Sequence, residues 1–406
     1  MAAKQDAVTN TYGALVEVDA LARQQFVEPI DDERLVDGAI RGMMFKLDPY
    51  SGYLSASELP GFERRTHGDF IGVGIEVGFR DGVPTIIAPI EGSPAAAAGI
   101  RAGDALVAIN DVEAKGLSIF DIEERLAGRP GSAVFLRVLH SGDTTPQTLR
   151  IARGPVTLSA VRGLRRKEDG RWEYFADENQ GIAYLRVTSF PDSMIREFDA
   201  LLGEIVDQGA RGFILDLRSN PGGSLEQAVE MADRFIADGV IVSTVTRRRA
   251  VQEYLARREG TFTDLELAVL IDHASASSAE IVAGSLQDHD RAVIVGERSF
   301  GKGSVQHLIR LNGQEAAVKL TVAYYRLPGG RIIHRTPRNM HSQQWGVKPD
   351  VEVARSPASE SPRNSTSLEV ATAQPTAPNE DDPQLNAALR ILRERIRERG
   401  SAPRNP

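Results

Sequence analysis

Apolar residues recur at helical spacing through the first fifty positions: Val8, Tyr12, Leu15, Val18 and Ala22, then Val36, Ile40, Met43 and Leu47. This predicts helices within residues 5–56, the second capped by Asp31 or Asp32. Such a pair is either a platform for dimerisation or a partner, or a packing arm. From 68 to 155 the period shortens. β-type runs at 72–79, 83–90, 105–109 and 133–138 alternate with glycine and proline turns around one helix, 119–126. From 156 to 353, apolar runs of strand length (181–187, 212–217, 267–271, 292–295) alternate with helices at 193–208, 225–235 and 278–287. That alternation implies a buried, largely parallel sheet. Later β structure is expected at 316–325 and 331–334. Residues 354–381, rich in Ser, Pro, Thr and Asn, predict a mobile linker. Beyond it, Leu385, Ala388, Leu389, Leu392 and Ile396 form one apolar stripe after Asp382 and Pro383. An amphipathic helix within 382–406 is expected, docked on its own chain or on a second subunit.

The domain expectation is therefore an N-terminal helical region (1–67), a β-rich domain (68–155), an α/β core (156–353), a linker (354–381) and a C-terminal helix (382–406). A length of 406 residues suits two or three domains. A net charge of -8 speaks against nucleic acid as the main partner, because phosphate binding needs a basic surface. With no cysteine there is no disulfide, thiol nucleophile or thiolate metal site. The seven histidines lack paired ligand spacing, so neither a metal nor a cofactor is expected. No apolar run is long enough to span a membrane. The first residues lack a signal-peptide apolar region, so either the protein stays in the cytoplasm or a leader is absent from this chain.

Two segments carry candidate chemistry. In IDHASASSAEI (271–281) a strand ends and a helix begins, with Ser277 at the turn. In GERSFGKGSVQ (296–306), Lys302 stands between two glycines. A hydroxyl activated by a neutral lysine performs acyl transfer without histidine. The base must be neutral, and an unperturbed lysine titrates near about 10.4, so such a lysine needs a dry site or suitable neighbours. The amide of Ser278, free at a helix start, can face a developing oxyanion, and a glycine at 222–223 can supply a second donor. Gln306, four residues after Lys302, can orient it. Ser275 and Ser278 are competing hydroxyls, most simply helix-cap or packing residues.

Residues 68–155 resemble a PDZ domain, through GSPA (92–95), Ala98-Gly99-Ile100, Gly103-Asp104 and Ile109-Asn110. The resemblance implies that a peptide C-terminus is bound by strand addition, its carboxylate held by the loop Gly72, Val73, Gly74 and Ile75. The whole chain from about 5 to 353 resembles the carboxyl-terminal processing proteases. LDLRSNPGG (215–223), SASSAEI (275–281), VAGSLQDH (282–289), GERSFGKGSVQ (296–306), Tyr324-Tyr325 and PGGR (328–331) carry it, with DPYS (48–51) and WGVKPD (345–350). It implies an α/β fold with a crotonase/ClpP-like catalytic core and an inserted PDZ domain. It also implies a serine endopeptidase acting near substrate C-termini, with nucleophile Ser277, base Lys302 supported by Gln306, an oxyanion hole of Ser278 with Gly222 or Gly223, and a PDZ domain that captures the substrate C-terminus or gates the site. Protein or peptide substrates, an activating adaptor, a homo-oligomer and a periplasmic or envelope location follow from the same resemblance. One departure is Ala127, where the family often has an arginine. Arg125 or Arg129 are the nearest substitutes for coupling peptide binding to activity.

Three rival readings are weaker. GERSFGKG (296–303) approaches a phosphate-binding loop, but Gly303 stands where Ser or Thr must hold magnesium. His273 and His289 flank Ser277 without an identifiable third group. A catalytically latent PDZ adaptor sits poorly with an intact Ser277, Lys302 and Gln306.

Overall fold

The computed structural model describes residues 2–355 and 382–401, apart from 68, 81–82, 91, 102, 118, 141, 158, 168–170, 250, 314, 337 and 342–343. The expected linker thus lies almost wholly outside the described residues. The chain forms two compact units: residues 1–62 with 305–322, and 63–304 with 323–406. Residues 305–322, grouped with the α/β core on sequence, cluster with the N-terminal helices.

In the first unit, helices Ala2–Gln25 and Asp32–Phe45 precede the strand Gly52–Leu54. That strand pairs antiparallel with the start of Ala317–Arg326, in register Gly52 to Lys319. Arg41 joins helix to strand: it donates to the Tyr53 carbonyl, lies over the Tyr53 ring and pairs with Glu58. Of the apolar positions that marked these helices, Ala22 and Ile40 are half-buried. Tyr12, Leu15, Val18, Val36, Met43 and Leu47 are all exposed.

Within the second unit, the β-rich segment is antiparallel throughout. Ile75–Arg80, Val83–Pro89, Ala105–Ile109, Ala133–Leu139 and Gln147–Ala152 follow one another across a sheet, with helices Pro94–Ala97 and Ile119–Leu126. Alternation does the sorting: Val134, Leu136 and Val138 are buried, whereas Phe135 is exposed. Helix Ile119–Leu126 ends against Arg153, which donates to the carbonyls of Arg125 and Leu126.

The α/β part is built on parallel strands Ile182–Val187, Gly212–Asp216, Glu266–Ile271, Ala292–Gly296 and Val351–Glu352, neighbours in that order. The first four are buried along nearly their whole length, as a sheet covered on both faces requires. One face receives Phe198 and Phe235, whose rings pack on Phe213 with centroids 6.2 Å and 5.8 Å away. On the other, Leu385, Ala388, Leu389, Leu392 and Ile396 of the C-terminal helix Pro383–Ser401 pack on Ile182, Tyr184, Ile214, Ala268 and Leu270. The C-terminal stripe therefore docks on its own chain.

Residues 331–334, expected as β structure, form no strand. They run alongside the glycine turn instead, and Arg335 donates to the Gly301 carbonyl at 2.8 Å. A hairpin of Val240–Thr246 and Val251–Leu255 was not anticipated from the sequence.

Candidate active site

The carboxyl ends of neighbouring parallel strands bring three loops together. The first, 217–224, follows Gly212–Asp216. The second, 272–277, follows Glu266–Ile271, and the third, 297–303, follows Ala292–Gly296. Ala276 N–H donates to the Asn220 carbonyl at 2.9 Å, and Phe300 N–H to the Ser275 carbonyl at 2.9 Å, so each loop is tied to the next.

Ser277 ends the middle loop with φ 56° and ψ −115°, a strained conformation for a residue with a side chain. Helix Ser278–Asp288 begins immediately after it, with the first-turn amides around the serine. The local cause of the turn is Glu280. This fully buried carboxylate accepts the amide of Ser277 at 2.8 Å on Oε2. The same oxygen accepts the amide of Lys302 at 2.8 Å, while Oε1 accepts Gly301 N–H at 2.7 Å and the Ser299 hydroxyl at 2.5 Å. Burial pushes the Glu280 carboxyl up, against the pull of these donors. One side chain thus fixes the backbones of both Ser277 and Lys302. Its signal in the sequence was a glutamate three residues into a helix, which ordinarily marks only a cap.

The glycines flanking Lys302 are required by close approach. A Cβ at Gly301 would meet the Arg335 side chain at 2.8 Å, and one at Gly303 the His334 amide nitrogen at 2.6 Å. Lys302 itself is half-buried. Tyr325 is buried and was not singled out from the sequence as a site residue. Burial, opposed by the Ser277 side chain, leaves its phenol pushed up to about 12, hence neutral.

The other candidates separate clearly. The Ser275 hydroxyl donates to the Leu217 carbonyl at 2.8 Å and accepts Asp272 N–H at 2.9 Å, knitting loops together. The Ser278 hydroxyl donates to the carbonyls of Gly223 and Ser224. Among the proposed oxyanion donors, Gly222 is corrected: its N–H already donates to Asn220 Oδ1 at 2.8 Å. Its Cα lies so close to the Ser277 turn that an added Cβ would sit 2.7 Å from Ser277 Cβ. Gln306 lies in the first compact unit, its amide donating to Thr321 Oγ1 at 3.5 Å. His273 points to solvent beside Glu297, and His289 bonds the Val240 carbonyl, so neither is placed as a base for Ser277.

In the β-rich domain, the loop at 72–75 is held by the turn that follows it. Ala95 N–H donates to the Val73 carbonyl at 2.8 Å, and the Ser93 hydroxyl to the Gly74 carbonyl at 3.0 Å. Arg125 and Arg129, the suggested replacements for the family arginine, are both exposed.

Comparison with known proteins matches residues 181–353 to peptidase family S41, residues 85–139 to a PDZ domain, and residues 2–57 to the N-terminal domain of the activating protease CtpB. The chain is 35% identical over 352 residues to a carboxy-terminal-processing protease of Bartonella bacilliformis, covering 85% of this chain and 76% of that one. It is 32% identical over 376 residues to a carboxyl-terminal-processing protease of Synechocystis, covering 92% and 80%. A solved Bacteroides fragilis chain assigned to the S41 proteases superposes with TM-score 0.53 at 18% identity over 93% of this chain and 97% of that one, a likeness of fold alone.

Proposed function

Because the chain belongs to the carboxyl-terminal processing proteases of peptidase family S41 and is a serine-type peptidase, we propose that it cleaves protein substrates near their C-terminus by acyl transfer from Ser277, with Lys302 as general base. The observation that supports this reading is the shared Glu280 carboxylate, whose Oε2 accepts the backbone amides of both residues.

Neutral Lys302 takes the hydroxyl proton of Ser277, and the resulting alkoxide attacks the scissile carbonyl carbon. The oxyanion is held by the Ser278 amide at the helix start and by the amide of Gly223; Gly222 is left out because its N–H is engaged. Collapse expels the amine, which receives the proton from Lys302, and water then releases the acyl group by the same steps. Gln306 enters on family resemblance alone. The PDZ domain captures the free substrate C-terminus at 72–75, supported by the held, glycine-bearing loop. A homo-oligomer, an activating adaptor and a location in the periplasm or cell envelope belong to the same reading.

The test is hydrolysis of casein by the wild type, Ser277→Ala, Lys302→Ala and Lys302→Arg. All three variants should lose at least about 10³-fold in kcat while keeping the fold, arginine failing because it stays charged. Retained hydrolysis in Ser277→Ala would refute the assignment. For the active enzyme, kcat/KM should rise with pH as Lys302 loses its proton.

A further inference from the structure

The loop beside Ser277 rests on a buried charge cluster completed by the C-terminal helix. Arg218, the second residue of that loop, is 7% exposed in its side chain. Its Nη2 donates to Asp216 at 2.7 Å, at the end of the loop's own strand. Its Nη1 and Nη2 also reach the two oxygens of Asp382, each at 3.0 Å, and Nη1 reaches Gln384 Oε1 at 3.1 Å. Asp382 and Gln384 lie 164 and 166 residues away along the chain. Asp382 also accepts Leu385 N–H at 3.0 Å, so one carboxylate caps the helix and holds the loop. Gln384 is fixed in turn by donating to the Val353 carbonyl at 2.8 Å.

Charge balance makes the helix part of the cluster. Arg186, 8% exposed, lies beside the same group, with Nη2 3.5 Å from the Arg218 carbonyl and Nε without a partner. Two arginines, 186 and 218, are therefore matched by two aspartates, 216 and 382. Removing the Asp382 carboxylate while the helix stays docked leaves the buried cluster with one cation in excess, which low-dielectric surroundings do not tolerate. At the near end of the 356–381 segment, Arg355 binds Asp272 Oδ2 at 2.9 Å and the Ser219 hydroxyl at 3.3 Å. The residues flanking that segment grip two consecutive residues of one loop.

We propose that Asp382, assisted by Gln384, is a positioning residue: docking of the C-terminal helix sets loop 218–223, and with it the oxyanion donors, against Ser277. The functional half of this inference rests on the acyl-transfer reading above; the structural half does not. The loop has little freedom, since a Gly222 Cβ would fall 2.7 Å from Ser277 Cβ and Asn220 accepts Ala276 N–H.

Hydrogen exchange read by mass spectrometry, together with kcat and KM on labelled casein, tests this on the full chain and on Asp382→Asn and Asp382→Glu. In Asp382→Asn, amides of 218–223 should exchange about tenfold faster, and kcat should fall about tenfold to a hundredfold with KM nearly unchanged. Asp382→Glu should recover part of both. Unchanged exchange at 218–223 overturns the proposal whatever the activity. So does a uniform rise in exchange over the whole chain that Asp382→Glu fails to reverse, because that marks general destabilisation. A wild type that hydrolyses nothing would sink the acyl-transfer reading, and the exchange data would still decide whether the helix holds the loop.

Discussion

The four donors converging on Glu280, three amides and one hydroxyl, require a group that only accepts, so the ionised carboxylate is the form that satisfies them. Glutamine keeps the shape but turns an NH2 toward two of these donors. Glu280→Gln should therefore cost at least ~2 kcal/mol in stability and drop kcat about tenfold or more through displaced backbones at Ser277 and Lys302. Denaturant melts and casein kinetics on one preparation check both; full activity would remove Glu280 from the positioning of the pair. Asp216 gives a pH prediction. Burial works to raise its carboxyl, but the Arg218 charge outweighs it and the carboxyl settles at about 2. A depressed carboxylate contributes stability above its unfolded value of about 3.9 and loses it as pH falls through the folded value. The stability gap between wild type and Asp216→Asn should hold at neutral pH and shrink between about pH 4 and pH 2. A constant gap over that range would contradict it. At this scale the turns that carry Ser277 and Lys302 were legible from turn chemistry and flanking glycines. Glu280 was not, because a helix-start glutamate has a commoner explanation, and the engaged amide of Gly222 depends on a side chain, Asn220, whose rotamer no pattern reveals.

Elements built from local patterns were legible to within a residue or two. Helix Ile119–Leu126 and strand Ala105–Ile109 carry their own periodicity. Segment 331–334 does not form a strand, because Ile333 packs against the glycine turn rather than on a β partner while Ile332 is exposed. In the PDZ domain, the tight element is the turn at Gly74, with φ +78° and a hypothetical Cβ only 2.3 Å from Ser93 Cβ. Gly74→Ala has to open that contact and adopt a left-handed backbone with a side chain, at about 1–3 kcal/mol. Since the same loop is the proposed carboxylate cradle, a peptide with a free C-terminus should bind the variant more weakly. Titrating a labelled peptide, with an amidated version as control, measures this. Equal affinity for Gly74→Ala and wild type would move the cradle elsewhere.

For the molecule as a whole, the Arg218–Asp382 clasp was illegible from sequence because its halves are so far apart along the chain, although the helix that carries Asp382 announced itself by its stripe. The N-terminal helices pose the opposite case: apolar positions at helical spacing, most of whose described members are exposed. Leu15 is 46% exposed, Val18 62% and Leu47 57%. Apolar positions in such number, rather than scattered singly, mark a contact surface. The proposed occupant is a second copy of the chain, in keeping with the homo-oligomer expected of the family. Sedimentation velocity at micromolar concentration should then give more than a monomer. Replacing Leu15 and Val18 together by aspartate should return a monomer with unchanged secondary structure, because both side chains are exposed. A wild-type monomer at every concentration would show that this surface meets something other than itself. Retained oligomers in the double variant would shift the interface off these helices.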